Sequence, residues 1–221
     1  MASAFTREGA SVFICARIEA DLQRTVQEIR NRGGEIRGEV ADVTKADDMK
    51  RLVRAVIEQY GGIHVLVNNA SLLGPRDPIA SYSATAWEEV LRVNLTGLFY
   101  VTQEVLQFMI PRREGSIINI SSGVGRVGRS RWGAYAASKF GVEGFTQVLA
   151  DEVKEMGIRV NAVNPGATRT EMRAEAYPEE DPMTLPIPDE ITEVFTYLAS
   201  DESLGVSGKS LDARDWMRRA N

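Results

Sequence analysis

The sequence predicts an α/β fold, a doubly wound parallel sheet with helices on both faces. Three features predict it. Apolar segments of strand length recur along the chain, amphipathic stretches of helix length separate them, and several strands run almost unbroken in Val, Ile and Leu, as strands covered on both faces must. At 221 residues and 24.4 kDa, the chain carries enough apolar side chains for a single such domain over 1–221.

In chain order the strand candidates are 11–16 (SVFICA), 35–40, 63–68 (IHVLVN), 116–121 (SIINIS), 158–164 (IRVNAVN) and 209–213. Between them, 19–32, 45–60, 84–110, 133–156 and 189–200 read as helices. Gly33-Gly34 and Gly61-Gly62 follow the first two, where a left-handed C-cap is needed, and Pro188 opens the last with its φ already helical. Met49, Leu52, Val53, Val56 and Ile57 recur at helical spacing and mark the inward face of the second helix. Right-handed crossovers then put ligands at the carboxyl ends of the strands. The stretch 166–188, with Pro178, Pro182, Pro186 and Pro188 and an acidic run at 179–181, reads as a long irregular segment, either a lid or a surface insertion.

Composition excludes several classes of function. A net charge of −5 and a pI near 5.2 supply no basic surface for nucleic acid. Apolar runs such as 12–16 and 97–101 fall far short of the ~20 residues of a membrane span, and no charged-then-apolar leader opens the sequence, so a cytoplasmic protein is expected. Cys15 is the only cysteine and His64 the only histidine. No internal disulfide, Cys cluster or multi-imidazole metal site can therefore be built, and a Ser/His/Asp triad would have to use His64. An enzyme with this composition is expected to use a group other than His for acid/base work, and no metal.

Tyr135 and Lys139 stand four apart at the start of a helix and share a face. A nearby ammonium stabilises phenolate, which makes Tyr a usable general acid where His is absent. With six Tyr and five Lys, such a pair arises by chance about 0.14 times. Its setting adds specificity, because Ser122 lies just past a buried strand, at the end where this kind of sheet places its site.

In that setting the segments LVNNAS, RVNLTGLFYVTQ, SIINISSG, YAASKFGVEGF and RVNAVNPGATRTEM resemble, in order and over nearly the whole chain, the short-chain dehydrogenase/reductase (SDR) family. The resemblance implies a Rossmann-like sheet and a catalytic set. Tyr135 would protonate the carbonyl oxygen as hydride arrives, Lys139 would lower the Tyr135 pKa and hold the nicotinamide ribose, Ser122 rather than Ser121 would polarise the carbonyl, and Asn94 would hold a proton-relaying water. Without the resemblance, Asn94 reads instead as a polar residue satisfying a helix kink.

The cofactor residues follow in the same way. Arg17, after Ala16, stands where an NAD-preferring member would carry an acidic residue, so NADP(H) is favoured over NAD(H); the plain alternative is a solvated arginine at a helix start. Asp42 and Val43 match the adenine-binding pair, although the dipeptide alone reads equally as a turn. Asn69 and Ala70 would line the adenosine ribose, and Pro165, Gly166, Thr168 and Thr170 would reach the carboxamide and pyrophosphate.

Three positions depart from the family pattern. Ser71 replaces the glycine of NNAG, and His64 replaces an Asp. The family's opening strand and its TGxxxGIG loop, which cradles pyrophosphate at a helix N-terminus, have no counterpart: MASAFTREGASVFICAR reads as the second half of the first helix, ending at Gly9, running into the second family strand. The resemblance thus implies an N-terminally incomplete sheet, short by roughly 20 residues at ordinary element lengths: either the natural polypeptide starts upstream of Met1, or the chain is a truncated product, for which weak stability and little cofactor affinity are expected. Direct pairing of the two strands flanking the gap is the other arrangement open to the chain.

Arg126, Arg129, Arg131, Arg169 and Arg173 would flank the site entrance and engage an anionic carrier substrate, or else be solvated loop arginines; Trp132 and Tyr177 would wall the pocket, unless Trp132, beside a helix start, only packs. Long apolar helices imply a homodimer or homotetramer, unless their faces only cover the sheet. The function implied is reduction of a 3-oxoacyl thioester or other small ketone by NADPH, without nucleic-acid or membrane partners. Its rival is a non-catalytic Rossmann-like remnant acting as a subunit or interaction module.

Overall fold

The computed structural model describes residues 1–217, so the last four residues of the expected 1–221 domain lie outside the described residues. The alternation predicted from the sequence is present. Helix α1 (Ala2–Arg7) leads into β1 (Val12–Ala16), α2 (Glu19–Asn31), β2 (Ile36–Val40), α3 (Ala46–Tyr60) and β3 (Val65–Asn68). There follow α4 (Ala84–Leu91), α5 (Gly97–Arg112), β4 (Gly115–Ile120), α6 (Gly133–Glu152), β5 (Ile158–Asn164), α7 (Glu171–Ala176), α8 (Glu193–Ala199), β6 (Ser210–Asp212) and α9 (Ala213–Met217). Gly9 takes φ +85° just past α1, as expected of a helix stop, and Gly61 caps α3 at φ +76°.

The strands are parallel but form two sheets among the described residues, β1-β2 and β3-β4-β5-β6. The facing edges of β1 and β3 do not pair, so the expectation that the flanking strands close directly on each other is not met. Helices bridge the division instead. Helix α3 packs on α5, and a Cβ placed on Gly97 would stand 2.9 Å from Val43 Cγ2 and 3.0 Å from the Val43 carbonyl. Only glycine lets α5 come so close to the loop after β2.

The deepest core lies on β4 and β5. Ile117, Ile118, Val160, Ala162 and Val163 have no exposed surface, covered on one side by Val105, Met109 and Leu149 and on the other by Val194, Phe195 and Leu198. A polar chain crosses this interior without leaving its donors idle: Asn68 Nδ2 donates to Asn119 Oδ1 at 2.8 Å, and Asn119 Nδ2 to Thr146 Oγ1 at 2.9 Å.

Three elements differ from the sequence reading. The single helix expected over 84–110 is interrupted by a π-helical turn at Arg92–Thr96, a one-residue register slip that ends at Gly97. The segment 189–200 divides into a 3₁₀ turn, Pro188–Ile191, and α8. The stretch 166–188, expected to be irregular, contains α7, whose Ala176 is buried against Leu73 and Trp132.

Candidate active site

The predicted residues converge at the carboxyl ends of β3, β4 and β5. Tyr135 and Lys139 sit on the first two turns of α6 and are 9% and 2% exposed. Ser122 follows β4 and turns the chain, its Oγ accepting from Val124 N–H at 3.4 Å. Ser121, the alternative serine, points into the protein and donates to Glu143 Oε1 at 2.5 Å.

Electrostatics at Tyr135 differ from the expectation. Lys139 Nζ donates to the Ile120 carbonyl at 2.8 Å and lies 5.5 Å from the centre of the Tyr135 ring. Burial raises the Tyr135 pKa above its ordinary value, and the hydroxyls that pull it back down are those of Ser122 and Ser71, with no contribution from Lys139. Lys139 itself is lowered by burial to about 8. The physical reason is that a carbonyl holds the ammonium, which leaves the phenol to its apolar surroundings.

Asn94 lies in the π turn and is 1% exposed. Its Oδ1 accepts from Leu72 N–H at 2.7 Å, while its Nδ2 donates to the Leu72 carbonyl at 2.9 Å and to Ser138 Oγ at 3.0 Å. The side chain clamps the loop after β3 to α6, and its partners lie outside its own helix.

The residues expected at the cofactor divide between the sheets. Arg17 is exposed after β1, and its charge lowers the pKa of Asp42 after β2. Asp42 Oδ1 accepts from Thr44 N–H and Oγ1 at 2.9 and 2.8 Å, the turn anticipated for this dipeptide. Asn69 and Ala70 are exposed at the end of β3. After β5, Gly166 takes φ +74° and donates to Asn164 Oδ1 at 3.0 Å, Thr168 is buried, and Thr170 caps α7. Pro165 accepts from Thr168 Oγ1 at 3.3 Å.

Three of the five arginines expected to meet a substrate are engaged within the protein. Arg126 pairs with Asp212 at 2.7 Å and Glu143 at 3.4 Å, Arg173 pairs with Glu180 at 2.6 Å, and Arg169 donates to the Pro182 and Leu185 carbonyls. Arg129 and Arg131 are exposed. Trp132 is buried in an apolar cluster beside the site, its ring 5.7 Å from Tyr135 and 5.9 Å from Tyr177. Sequence reasoning missed Arg76, whose guanidinium stacks 4.7 Å from the Trp132 ring centre and 4.9 Å from that of Tyr177 and bonds the Ala176 carbonyl. It also passed over Glu143, which joins Ser121, Arg126 and Ser210. His64 stands before β3, at the other end of the strand, 3.8 Å from Glu114. No cluster of metal-ligating groups occurs among the described residues, and none of their helices is long and apolar enough to cross a membrane.

Residues 1–181 match the short chain dehydrogenase family. The chain belongs to that family. This short-chain dehydrogenase is 37% identical over 216 residues to the uncharacterized oxidoreductase YciK of Escherichia coli (strain K12), a match spanning 96% of this chain and 85% of that protein. It is 40% identical over 215 residues to the 3-oxoacyl-[acyl-carrier-protein] reductase FabG of Thermotoga maritima, over 93% of this chain and 86% of that one. Its Rossmann-like fold superposes with a TM-score of 0.92 on a short chain dehydrogenase from Escherichia coli CFT073 complexed with NADPH, at 37% identity, covering 96% of this chain and 90% of the other.

Proposed function

We propose that this oxidoreductase is a cytoplasmic, NADP(H)-dependent carbonyl reductase acting on a 3-oxoacyl thioester or another small ketone. One observation carries the reading: Ser122 at the end of β4, Tyr135 and the buried ammonium of Lys139 converge on one site, with Lys139 Nζ 5.5 Å from the Tyr135 ring centre. Ser122 donates to the substrate carbonyl and holds it against Tyr135. Tyr135 gives its proton to the carbonyl oxygen as negative charge develops there, and the Ser122 hydroxyl, which favours the ionised phenol, stabilises the phenolate left behind.

The residues fit a dinucleotide at both of its ends. Lys139 Nζ has three donors and spends one on Ile120, which leaves two for a ribose diol. Arg17, next to Ala16 rather than a carboxylate, suits a 2′-phosphate. Asp42, Val43, Asn69 and Ala70 take the adenosine end, and Pro165, Gly166, Thr168 and Thr170 take the nicotinamide end. When bound, the nicotinamide supplies the hydride. The NADPH complex of the Escherichia coli CFT073 relative supports the same choice of cofactor, and the ketoacyl relatives support the substrate class.

Phe99, Phe140 and Val148 are 42%, 46% and 59% exposed on α5 and α6, beyond what covering the sheet requires, which supports a homodimer or homotetramer. One observation favours the second reading, a non-catalytic subunit: the split sheet sets Arg17 and Asp42 on one side and Tyr135 on the other. NADPH titration by fluorescence separates the two. Saturable micromolar binding, with turnover lost in Tyr135→Phe and binding retained, supports the enzyme; turnover unchanged in Tyr135→Phe refutes the role of Tyr135, and no binding supports the subunit.

A further inference from the structure

We propose that Arg76 is a positioning residue: its guanidinium pins α7 against the site and so sets how tightly the surroundings of Ser122 and Tyr135 close on a substrate. The effect on turnover rests on the reductase reading, whereas the docking of α7 does not.

Six residues are too few for a helix to persist on its own hydrogen bonds, so α7 stays formed by resting on something. It rests on the site. Ala176 is buried in one cluster with Tyr135, Trp132 and Val124, and Tyr177 packs against the same cluster. Val124 N–H donates to Ser122 Oγ, so the serine turn and the tyrosine-bearing start of α6 both belong to the surface that α7 covers.

Polar bonds between α7 and that surface are few. Among the described residues, every hydrogen bond of residues 169–187 but one closes within 168–190, as when Arg169 donates to the Pro182 and Leu185 carbonyls and Arg173 to Glu180. The exception comes from Arg76, on the loop after β3, which donates to the Ala176 carbonyl. That carbonyl lies in the last turn of α7, where no N–H of the helix remains to bond it and the helix dipole favours a cation.

The same guanidinium lies 4.7 Å from the Trp132 ring centre and 4.9 Å from that of Tyr177, and the Trp132 ring stands 5.7 Å from that of Tyr135. One planar group thus joins the end of α7 to the start of α6. Its own loop is fixed, because Asn94 bonds both the N–H and the carbonyl of Leu72. Arg126 and Arg173 pair with carboxylates. Arg76 makes no such pair among the described residues and holds α7 through two rings and a carbonyl instead. Stacking on rings while donating in the plane requires a guanidinium, and an ammonium does not replace it.

The test compares the full chain with Arg76→Ala and Arg76→Lys by amide exchange, and by steady-state kinetics with NADPH and two ketones, one neutral and one carrying a carboxylate. Both variants should speed exchange about tenfold at the Ala174 and Tyr177 amides, whose bonds belong to α7, and leave the β4 amides unchanged. KM should rise about threefold for both ketones with kcat changed less, since the substrate meets a smaller docked fraction. Millimolar guanidinium ion should reverse both changes in Arg76→Ala and leave the wild type unaffected. A KM rise confined to the carboxylate ketone overturns the proposal and makes Arg76 a direct substrate contact. Unchanged exchange in α7, or faster exchange with KM unchanged, also overturns it, as does faster exchange in α7 and β4 alike, the mark of a general loss of stability. If the wild type reduces neither ketone, the reductase reading fails for them, and α7 exchange alone decides whether Arg76 pins the helix.

Discussion

The two sheets of this molecule are built from similar sequence and end in different states. In the four-stranded sheet, β4 and β5 are buried almost throughout, with helices packed on both faces. In the two-stranded sheet, no residue of β1 is buried, and β2 carries one, Ile36. VFICA is as apolar as GSIINI, so composition does not explain the difference. Position does: β4 and β5 have neighbours on both edges, while β1 has one neighbour and an open slot. The catalytic candidates stand on the well-buried half, and the residues that would choose the dinucleotide stand on the other. On the proposed reading, chemistry and cofactor selection rest on scaffolds of unequal burial.

The largest effects should fall on the four-stranded half. Tyr135→Phe removes the proton donor and should lower turnover by about 10²- to 10⁴-fold, read by NADPH oxidation with a ketone substrate. For stability, Ile118→Ala in β4, at a site with no exposed surface, should cost about 2–5 kcal/mol. Ile14→Ala in β1 should cost less than half as much, since Ile14 is only partly buried. Equal costs in urea unfolding would break the comparison and show the two sheets to be equally consolidated.

Lys139 offers a pH test. Burial lowers its pKa from 10.5 to about 8. Between these values the unfolded chain holds a proton that the folded chain has released, so stability rises with pH across that window, and the penalty is fully present below about pH 8. Lys139→Met removes the titration. The mutant should exceed the wild type in stability near pH 7 by up to about 3 kcal/mol, with the gap closing toward pH 10.5. A gap independent of pH would mean that the loss of the Ile120 bond, and not the buried charge, sets the difference.

Much of this was legible from residue order, for identifiable reasons. The strands announce themselves because parallel strands must be apolar on both faces, and Tyr135, Lys139 and Ser122 because one turn of helix and one strand end bring them together. The π turn at Arg92–Thr96 was legible only as a possible kink at Asn94, since the register slip itself carries no residue signature. Nor was Arg76, whose partners Trp132 and Tyr177 lie 56 and 101 positions further on in the sequence. The direction of the Tyr135 shift also failed to show in the sequence, because it depends on which acceptor the Lys139 ammonium finds. Spacing places two groups on one face; it does not say where their polar tips point.

On the weaker half, Arg17→Glu puts a carboxylate where a 2′-phosphate would sit. It should reduce NADPH affinity by about 1.5–3 kcal/mol, the worth of a charge-assisted bond, while leaving NADH affinity unchanged or improved. Because Arg17 also lowers the Asp42 pKa, the carboxyl of Asp42 should move upward in the same variant. Equal losses for both dinucleotides in paired fluorescence titrations would show that Arg17 serves the strand end rather than the phosphate.

The smallest effect returns to the well-buried half. Ser71 replaces a family glycine, and its Oγ is buried without closing a hydrogen bond, yet its hydroxyl pulls the Tyr135 pKa down. Ser71→Gly should then relieve a buried polar atom and remove one of the two hydroxyls acting on Tyr135. These consequences oppose each other in different observables. Stability should rise slightly, by about 1 kcal/mol at most, while the alkaline limb of the pH–rate profile moves upward as the phenol loses a partner for its ionised form. A shift in the profile without a change in stability would assign Ser71 to Tyr135 alone; a change in stability without a shift would leave Ser122 as the hydroxyl that tunes it.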